Sequence, residues 1–319
     1  MADRKKMATR EIIEIACNID EQYLKYCYVM LTSLFENNKD ASIRIHLIAS
    51  ELSQESQNML KELVEEKYRH KIVFYSVGDE MLKQCSIYGD GSHITIATYY
   101  RICLESILPA DIHKVLYIDC DLIVEGSIKG LWDTDISGVA VGCVEDMWSG
   151  KDDNYTRLDY DSKYSYFNAG VLLINLDYWR KIGFQHAALE YAAKHQGELI
   201  FNDQDVLNAL LHDKKIFLPF RYNLQDGFFR CKRRIRKDAE PDLDKEMESP
   251  VIIHYTGGKK PWHYKSQHPY KQLFFKYLDL TPWAGERPIS PASYKIKLLI
   301  DKFLTIVYLK PRKYRKLKI

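Results

Sequence analysis

Through the first 180 residues, short apolar runs alternate with longer stretches of helical period. That alternation predicts a parallel sheet wrapped by helices. Ile12 to Cys17, Ile43 to Ala49 and Ile72 to Val77 read as strands. Glu21 to Asn37 reads as a helix closed at Asn37-Asn38, and Ser53 as the cap of a second helix with Ser56 just inside it. Val115 to Ile118 is an apolar run with carboxylates at its tip, Asp119 and Asp121; Val139 to Val144 and Gly170 to Leu176 are further inner strands, and Asp177 to Lys194 is a helix. Beyond Pro219 the pattern loosens, so Arg230 to Glu248 is expected to be a mobile loop before a last strand at Val251 to His254. The expected division is one α/β domain over residues 1–280 and a small appendage over 281–319.

Composition narrows the function classes. The 319 residues are 46% hydrophobic and 28% charged, enough apolar material for a sizeable core. The formal charge of +2 argues against a nucleic-acid binder coated in positive charge. Nine Lys or Arg against one Asp lie between Ser293 and Ile319, so the tail carries about +8 and the rest of the chain about −6. Seven scattered cysteines, at 17, 27, 85, 103, 120, 143 and 231, form no CxxC pair and read as free, mostly buried thiols. With no signal-like stretch at the start and no run of about 18 apolar residues, the expectation is a cytoplasmic protein without a membrane span. Neither GxGxxG nor GxxxxGK[ST] occurs, which weakens dinucleotide and P-loop readings.

Candidate chemistry sits at strand tips, where ligands of such sheets bind. In LYIDCDLIV, Asp119 and Asp121 are two apart on extended backbone, so both side chains project to the same side and can share one hard cation that neutralises a diphosphate. Two solvated acids at a strand end are the competing explanation. His254 ends another strand and is followed by Gly257, Gly258, Lys259 and Lys260, giving close backbone approach and positive charge for phosphate. Two carboxylates and an imidazole suit Mn²⁺, with Mg²⁺ the less natural match; a hydrogen-bonded core histidine is the alternative.

Seven ordered pieces, ACNIDEQY, TYYRICL, KVLYIDCDLIV, LWDTD, YFNAGVLLINLDYWR, FNDQDVLN and HYTGGKKPW, make the chain resemble bacterial members of glycosyltransferase family eight from Ile12 to Trp262. The resemblance implies a single Rossmann-like nucleotide-sugar-binding domain of GT-A type, a mostly parallel mixed sheet with helices on both faces. It implies Asp119, Asp121 and His254 as ligands of Mn²⁺. Ala16, Asp20 and Gln22 would line the uridine pocket, with Gln22 where the family usually has Asn. Arg101 would reach the donor sugar or its phosphate, Gly257 and Lys260 the diphosphate, with Cys120 between the two carboxylates counted among the donor contacts. Asn168, Asp203 and Gln204 would surround the sugar, the last two as catalytic residues, while Asp205 is equally explained as a helix cap. The implied reaction is retaining transfer of a hexose from UDP-galactose or UDP-glucose to a glycan or glycolipid, a lipopolysaccharide core or other cell-surface glycan. A UDP-sugar-binding protein without turnover is the alternative. Because Gln204 is an amide and a poor nucleophile, same-face attack is favoured over double displacement, with Asp203 as nucleophile the alternative.

In the tail, apolar residues at 296, 299, 300, 303, 304 and 307 form a helical stripe ahead of Lys310-Pro-Arg-Lys-Tyr-Arg-Lys. Positive charge beside an apolar face suits an anionic membrane surface, here the inner face of the cytoplasmic membrane, reached through residues 293–319. Nucleic acid is not expected as a partner. Packing of the stripe on the catalytic domain is the alternative.

Overall fold

A computed structural model gives the fold and describes residues 11–78, 82 and 96–316. The N-terminal residues 1–10, Cys85 and the tail's last three residues lie outside the described residues. In chain order the elements are β1 (Ile12–Asn18), α1 (Leu24–Glu36), β2 (Ser42–Ala49), α2 (Gln54–Lys61), β3 (Lys71–Ser76), α3 (Leu104–Ile107), β4 (Lys114–Ile118) and β5 (Leu122–Val124). They continue with α4 (Lys129–Trp132), β6 (Val141–Glu145), α5 (Asp152–Leu158), β7 (Phe167–Asn175), α6 (Leu176–Ile182), α7 (Phe184–Lys194), α8 (Asp203–Leu211) and β8 (Lys215–Phe217). Last come β9 (Leu224–Gln225), α9 (Glu240–Glu246), β10 (Ile252–His254), α10 (Lys271–Leu278) and α11 (Ala292–Ile306).

The main sheet has seven strands in the order β3-β2-β1-β4-β7-β6-β8. Every pairing in it is parallel except those of β7, which runs against both β4 and β6. A small sheet, β5-β10-β9, stands beside it. Alternation along the strands sends successive side chains to opposite faces. Ile15, Cys17, Leu116, Ile118, Val171 and Leu173 join one apolar cluster with α1 and α10, while Ala16, Val115, Tyr117, Leu172 and Ile174 join another with α6, α7 and α8. Both faces are therefore covered. That is why the inner strands read as unbroken apolar runs rather than alternating ones. Each fully buried Leu, Ile or Phe contributes roughly 1.5–3 kcal/mol relative to exposure.

Three expectations are refined. The helix expected over Asp177–Lys194 is two helices, because Gly183 adopts a left-handed conformation, φ 63°, which ends α6 and turns the chain into α7. The turn seats Phe184 against Trp179, ring centroids 4.2 Å apart. The strand expected from Gly170 begins three residues earlier, at Phe167. The stretch Arg230–Glu248 is structured rather than loose: it holds α9, Leu243 is fully buried, Arg233 pairs with Asp244 at 2.7 Å, Arg221 pairs with Glu246, and the Gly150 amide donates to Arg234 O at 2.8 Å. Its many charges pair with one another, and that pairing is invisible to a count of polar residues.

Of the six described cysteines, all free, five are buried and Cys231 is exposed. No described helix is long and apolar enough to cross a membrane. In α11 no residue is buried, and Ile296, Leu299, Ile300, Phe303 and Ile306 are 53–68% exposed. The stripe is therefore not packed on the main body.

Candidate active site

The carboxyl edge of the sheet gathers most of the residues singled out in the sequence. Asp119 follows β4 directly, and its amide donates to Gly170 O in β7 at 2.9 Å. Asp121 opens toward β5, and its carbonyl accepts from Tyr255 N at 3.0 Å, which ties β10 to the same corner. His254 ends β10, opposite Leu122 and Gln225. One ligand atom from each of Asp119, Asp121 and His254 lies within 4.8 Å of the others. His254 Nε2 is 3.1 Å from Asp121 Oδ1 and 3.8 Å from Asp119 Oδ2.

A chain of hydrogen bonds assigns the imidazole tautomer. Buried Asp146 accepts from Asn168 Nδ2 at 3.0 Å, leaving Asn168 Oδ1 to accept from Asn223 Nδ2 at 2.9 Å. Asn223 Oδ1 is then the acceptor for His254 Nδ1, 2.9 Å away. With Nδ1 as donor, Nε2 presents its lone pair to two carboxylates. Three acceptors facing one point repel unless a cation lies among them, so the donor set fits a divalent metal. Lys260 also approaches, its ammonium contacting Asp121 Oδ2 and donating to Tyr255 O at 2.8 Å. Burial opposes ionisation of Asp121, yet the charge of the Lys260 ammonium outweighs it and holds the carboxyl well below the usual carboxylate range.

Arg101 links this cluster to Asp203 at the start of α8. It is 6% exposed, its Nη2 is 3.0 Å from Asp119 Oδ1, its Nε 2.8 Å from Asp203 Oδ2, and its guanidinium lies 4.5 Å above the Tyr117 ring. Thr98 Oγ1 donates to Asp203 Oδ1 at 2.8 Å. Burial pushes the Asp203 carboxyl up to about 6, against the pull of Arg101 and Thr98. Asn202, just before α8, holds φ 50° and ψ −120°, a strained conformation for a side-chain-bearing residue. It fixes where the helix starts and therefore where Asp203 and Gln204 point. Gln204 Oε1 accepts from Asn168 Nδ2 at 3.1 Å and Ala169 N at 3.0 Å, and its Nε2 donates to Tyr166 Oη at 3.2 Å and Asp146 Oδ2 at 3.3 Å. Asp205 is fully buried and saturated by Arg157, Tyr166 Oη and Phe201 N.

Other residues stand apart from this constellation. Ala16 is fully buried in the core, so only its backbone faces the edge. Asp20 caps a short turn by accepting from Tyr23 N at 3.0 Å, and Gln22 is exposed with no side-chain hydrogen bond among the described residues. The Cys120 thiol turns away from its flanking carboxylates into a buried group with Cys17 and Cys27, leaving its backbone alone beside the site. Gly257 is exposed in a left-handed turn, φ 85°.

Sequence reasoning did not single out Asp146, Asn223, Tyr117, Thr98, Tyr23 or Gly170. Tyr117 Oη donates to Asp119 Oδ1 at 2.9 Å, and burial, then Asp121 and Asp119, push the Tyr23 phenol up. A glycine inside a buried strand signals close approach. At Gly170 a Cβ would stand 2.2 Å from His254 Cε1 and 2.8 Å from Asp119 Oδ2. Asn223, in a polar stretch between short elements, carries no such signal.

Comparison with known proteins agrees with this arrangement. Residues 14–266 match the description "Glycosyl transferase family 8". The chain is 30% identical over 282 residues to general stress protein A of Bacillus subtilis (strain 168), covering 87% of this chain and 96% of that protein. It is 27% identical over 282 residues to a lipopolysaccharide 1,2-glucosyltransferase of Escherichia coli (strain K12), covering 88% and 81%. A crystal structure of the galactosyltransferase LgtC in complex with donor and acceptor sugar analogs superposes with a TM-score of 0.77 at 26% identity, covering 89% of this chain and 100% of that one. With its mixed sheet in the GT-A arrangement and a family match running from β1 to beyond His254, the chain belongs to glycosyl transferase family 8.

Proposed function

We propose that the chain is a retaining hexosyltransferase that takes galactose or glucose from its UDP derivative and passes it to a glycan or glycolipid acceptor, a lipopolysaccharide core or another cell-surface glycan. The observation that carries this reading is the convergence of Asp119, Asp121 and the Nε2 lone pair of His254 at the carboxyl edge of the sheet, with the tautomer set by Asn223. Mn²⁺ held there would neutralise the donor diphosphate and polarise its bond to the sugar. The relatives named for glucosyl and galactosyl transfer support the hexose.

The chain's own residues take the remaining work. Asp20, Gln22 and the backbone of Ala16 border the uridine, and Gly257 and the Cys120 backbone allow close approach of the diphosphate. Lys260 steadies negative charge on departing UDP. Arg101 orients Asp203, whose carboxylate accepts from hexose hydroxyls, and Asn168 and Gln204 bound the anomeric carbon. Both oxygens of Asp205 are engaged by donors, Asp203 is paired with Arg101, and Gln204 is an amide tied at both ends. None of the three is set up as a nucleophile, which supports same-face attack. The acceptor oxygen bonds to the anomeric carbon on the side UDP leaves, and its proton passes to the departing phosphate oxygen.

Residues 1–280 form the catalytic unit, and 281–319 the basic appendage. The exposed stripe of α11 beside Lys295, Lys297 and Lys302 supports peripheral attachment to an anionic inner leaflet from the cytoplasm. UDP release from UDP-galactose and UDP-glucose, with and without Mn²⁺, tests the enzyme. Turnover that needs the metal and is lost in Asp121→Asn is expected, whereas UDP-sugar binding with no hydrolysis or transfer from any donor would leave a binding protein. Co-sedimentation with anionic vesicles at low and physiological salt tests the appendage.

A further inference from the structure

Close to Asp146 and Gln204 lies a small cleft with an unusual charge. Its wall is Met147, Trp148, Gly227, Arg230, Lys232 and Arg234. It adjoins the sugar-side residues through Asp146, whose carboxylate meets Gln204 and whose next two neighbours line the cleft. The walls are rigidly joined. A Cβ on Gly227 would stand 2.6 Å from Met147 Sδ, and one on Gly150 would stand 2.7 Å from the carbonyl oxygens of Arg234 and Ile235. The Trp148 amide donates to Asp146 Oδ1 at 2.8 Å, and Met147 N to Gln225 Oε1 at 2.8 Å.

Two cations share one indole here. Lys151 Nζ lies 4.3 Å from the Trp148 ring centroid and the Arg234 guanidinium 4.8 Å from it. Lys151, Lys232 and Arg234 have no carboxylate partner among the described residues, while Arg230 is paired with Asp226. Burial pushes the Lys313 ammonium down, Asp226 opposes this, and the charges of Arg230 and Lys259 add to the downward push. Ring contacts stabilise each cation modestly, but they do not relieve repulsion between them. An anion between them would.

We infer that the acceptor is an anionic glycan, a sugar bearing a phosphate group, with the phosphate received by Lys151, Lys232 and Arg234 beside Trp148. The inference rests on the transferase reading and names the substrate class for its acceptor side. Trp148 is half-buried and in contact with both Lys151 and Arg234, so its indole reports on what binds them. No covalent step is added, since the phosphate orients the acceptor hydroxyl and takes no part in the transfer.

The test uses the full chain saturated with UDP and Mn²⁺, so that the donor's diphosphate site is filled. Glucose 6-phosphate, glucose, inorganic phosphate and phosphatidylglycerol vesicles are titrated separately, following the Trp148 indole N–H resonance assigned with Trp148→Phe. Glucose 6-phosphate is expected to shift that resonance at concentrations where glucose does not, and to bind more tightly than inorganic phosphate. Lys151→Gln, Lys232→Gln and Arg234→Gln combined should weaken glucose 6-phosphate by roughly tenfold, with melting temperature reporting that the fold is intact. Equal binding of glucose and glucose 6-phosphate, equal binding of inorganic phosphate, a response to vesicles alone, or an undiminished affinity in the triple variant would each overturn the inference. Hydrolysis of UDP-sugar by the unaltered protein reports separately on the transferase reading, so the two can fail independently.

Discussion

Gly170→Ala is the sharpest test of how the site is built. The added Cβ would stand 2.2 Å from His254 Cε1 and 2.8 Å from both His254 Nδ1 and Asp119 Oδ2. Carbon atoms in ordinary contact are about 3.5–4.0 Å apart, so the imidazole must retreat by about 1.3 Å or more. It has nowhere to go without loss. His254 is 3% exposed, its Nδ1 is held 2.9 Å from Asn223, and β10 is paired on both sides. Metal–ligand distances tolerate deviations of only about 0.2 Å. Removing the imidazole from a three-ligand set should therefore weaken Mn²⁺ by more than about 100-fold, beyond the 10–100-fold typical when only a supporting hydrogen bond is lost. Overpacking costs roughly 1–3 kcal/mol, which for a chain of 319 residues corresponds to a fall in Tm of roughly 1.5–4.5 °C. The assay is a titration with Mn²⁺ in the presence of UDP, read by the electron paramagnetic resonance of the free ion, with UDP release measured in parallel. Gly138→Ala is the control, since a Cβ there meets nothing within 4 Å. A Gly170→Ala protein that is folded and binds Mn²⁺ within about threefold of wild type would refute the assignment of His254 as a ligand.

Other outcomes follow from the same geometry. Asn223→Ala removes the acceptor that fixes Nδ1 as donor, so Mn²⁺ affinity should drop by about 10–100-fold, alongside a loss of about 1–3 kcal/mol of stability because the buried His254 Nδ1 loses its partner; an unchanged affinity would mean the tautomer is set elsewhere. Asp203 is pushed up to about 6, above its ordinary value, so the folded state holds the extra proton between them and Asp203's contribution to stability is lost as pH rises through about 6. Activity should move the other way, falling as pH drops through about 6 because Arg101 and the donor hydroxyls need the carboxylate, and Asp203→Asn should show a lower, flatter profile of kcat/KM against pH; an acid limb that persists in the variant would assign it to another group. Arg157→Ala strands the buried Asp205 carboxylate and should cost about 3–5 kcal/mol by denaturant unfolding, whereas a loss under about 1 kcal/mol would show that Tyr166 and Phe201 suffice. Replacing Ile300 and Phe303 by Glu should abolish sedimentation with anionic vesicles and leave melting unchanged, since both side chains are exposed; retention of binding would remove the stripe from the account.

Much of this was readable in advance because the strands that carry the chemistry are buried on both faces. Val115 to Ile118 had to be an inner strand, and that alone puts Asp119 at its tip; Val251 to His254 was legible as a strand ending in an imidazole, but its pairing with β5 in a separate small sheet was not. What the sequence did not yield are groups whose role exists only through a partner. Asn223 matters because Asn168 and His254 stand on either side of it, and Asp146 because Asn168 and Gln204 both turn to it. Neither shows a period or a spacing. The stretch from Arg230 to Glu248 misled for the same reason, because Arg233 and Asp244 pair across α9, 11 positions apart. Cys120 sits between two acids in sequence, yet the bend that joins β4 to β5 turns its thiol away from them, against Cys17 and Cys27.

Helix α11 is fastened at both ends. Tyr294 Oη donates to Lys265 O at 3.1 Å near its start, and beyond its end Lys313 O accepts from Cys231 N at 3.0 Å while Arg315 N donates to Phe229 O at 2.9 Å. A helix held this way cannot pivot on its linker, so any flat surface that receives its apolar side is kept at one tilt and one height above the catalytic mouth. Under the proposed attachment, reach then becomes a property of the acceptor: a sugar would have to project from that surface by the fixed clearance, and chains too short or too long would miss the reacting carbon whatever their chemistry.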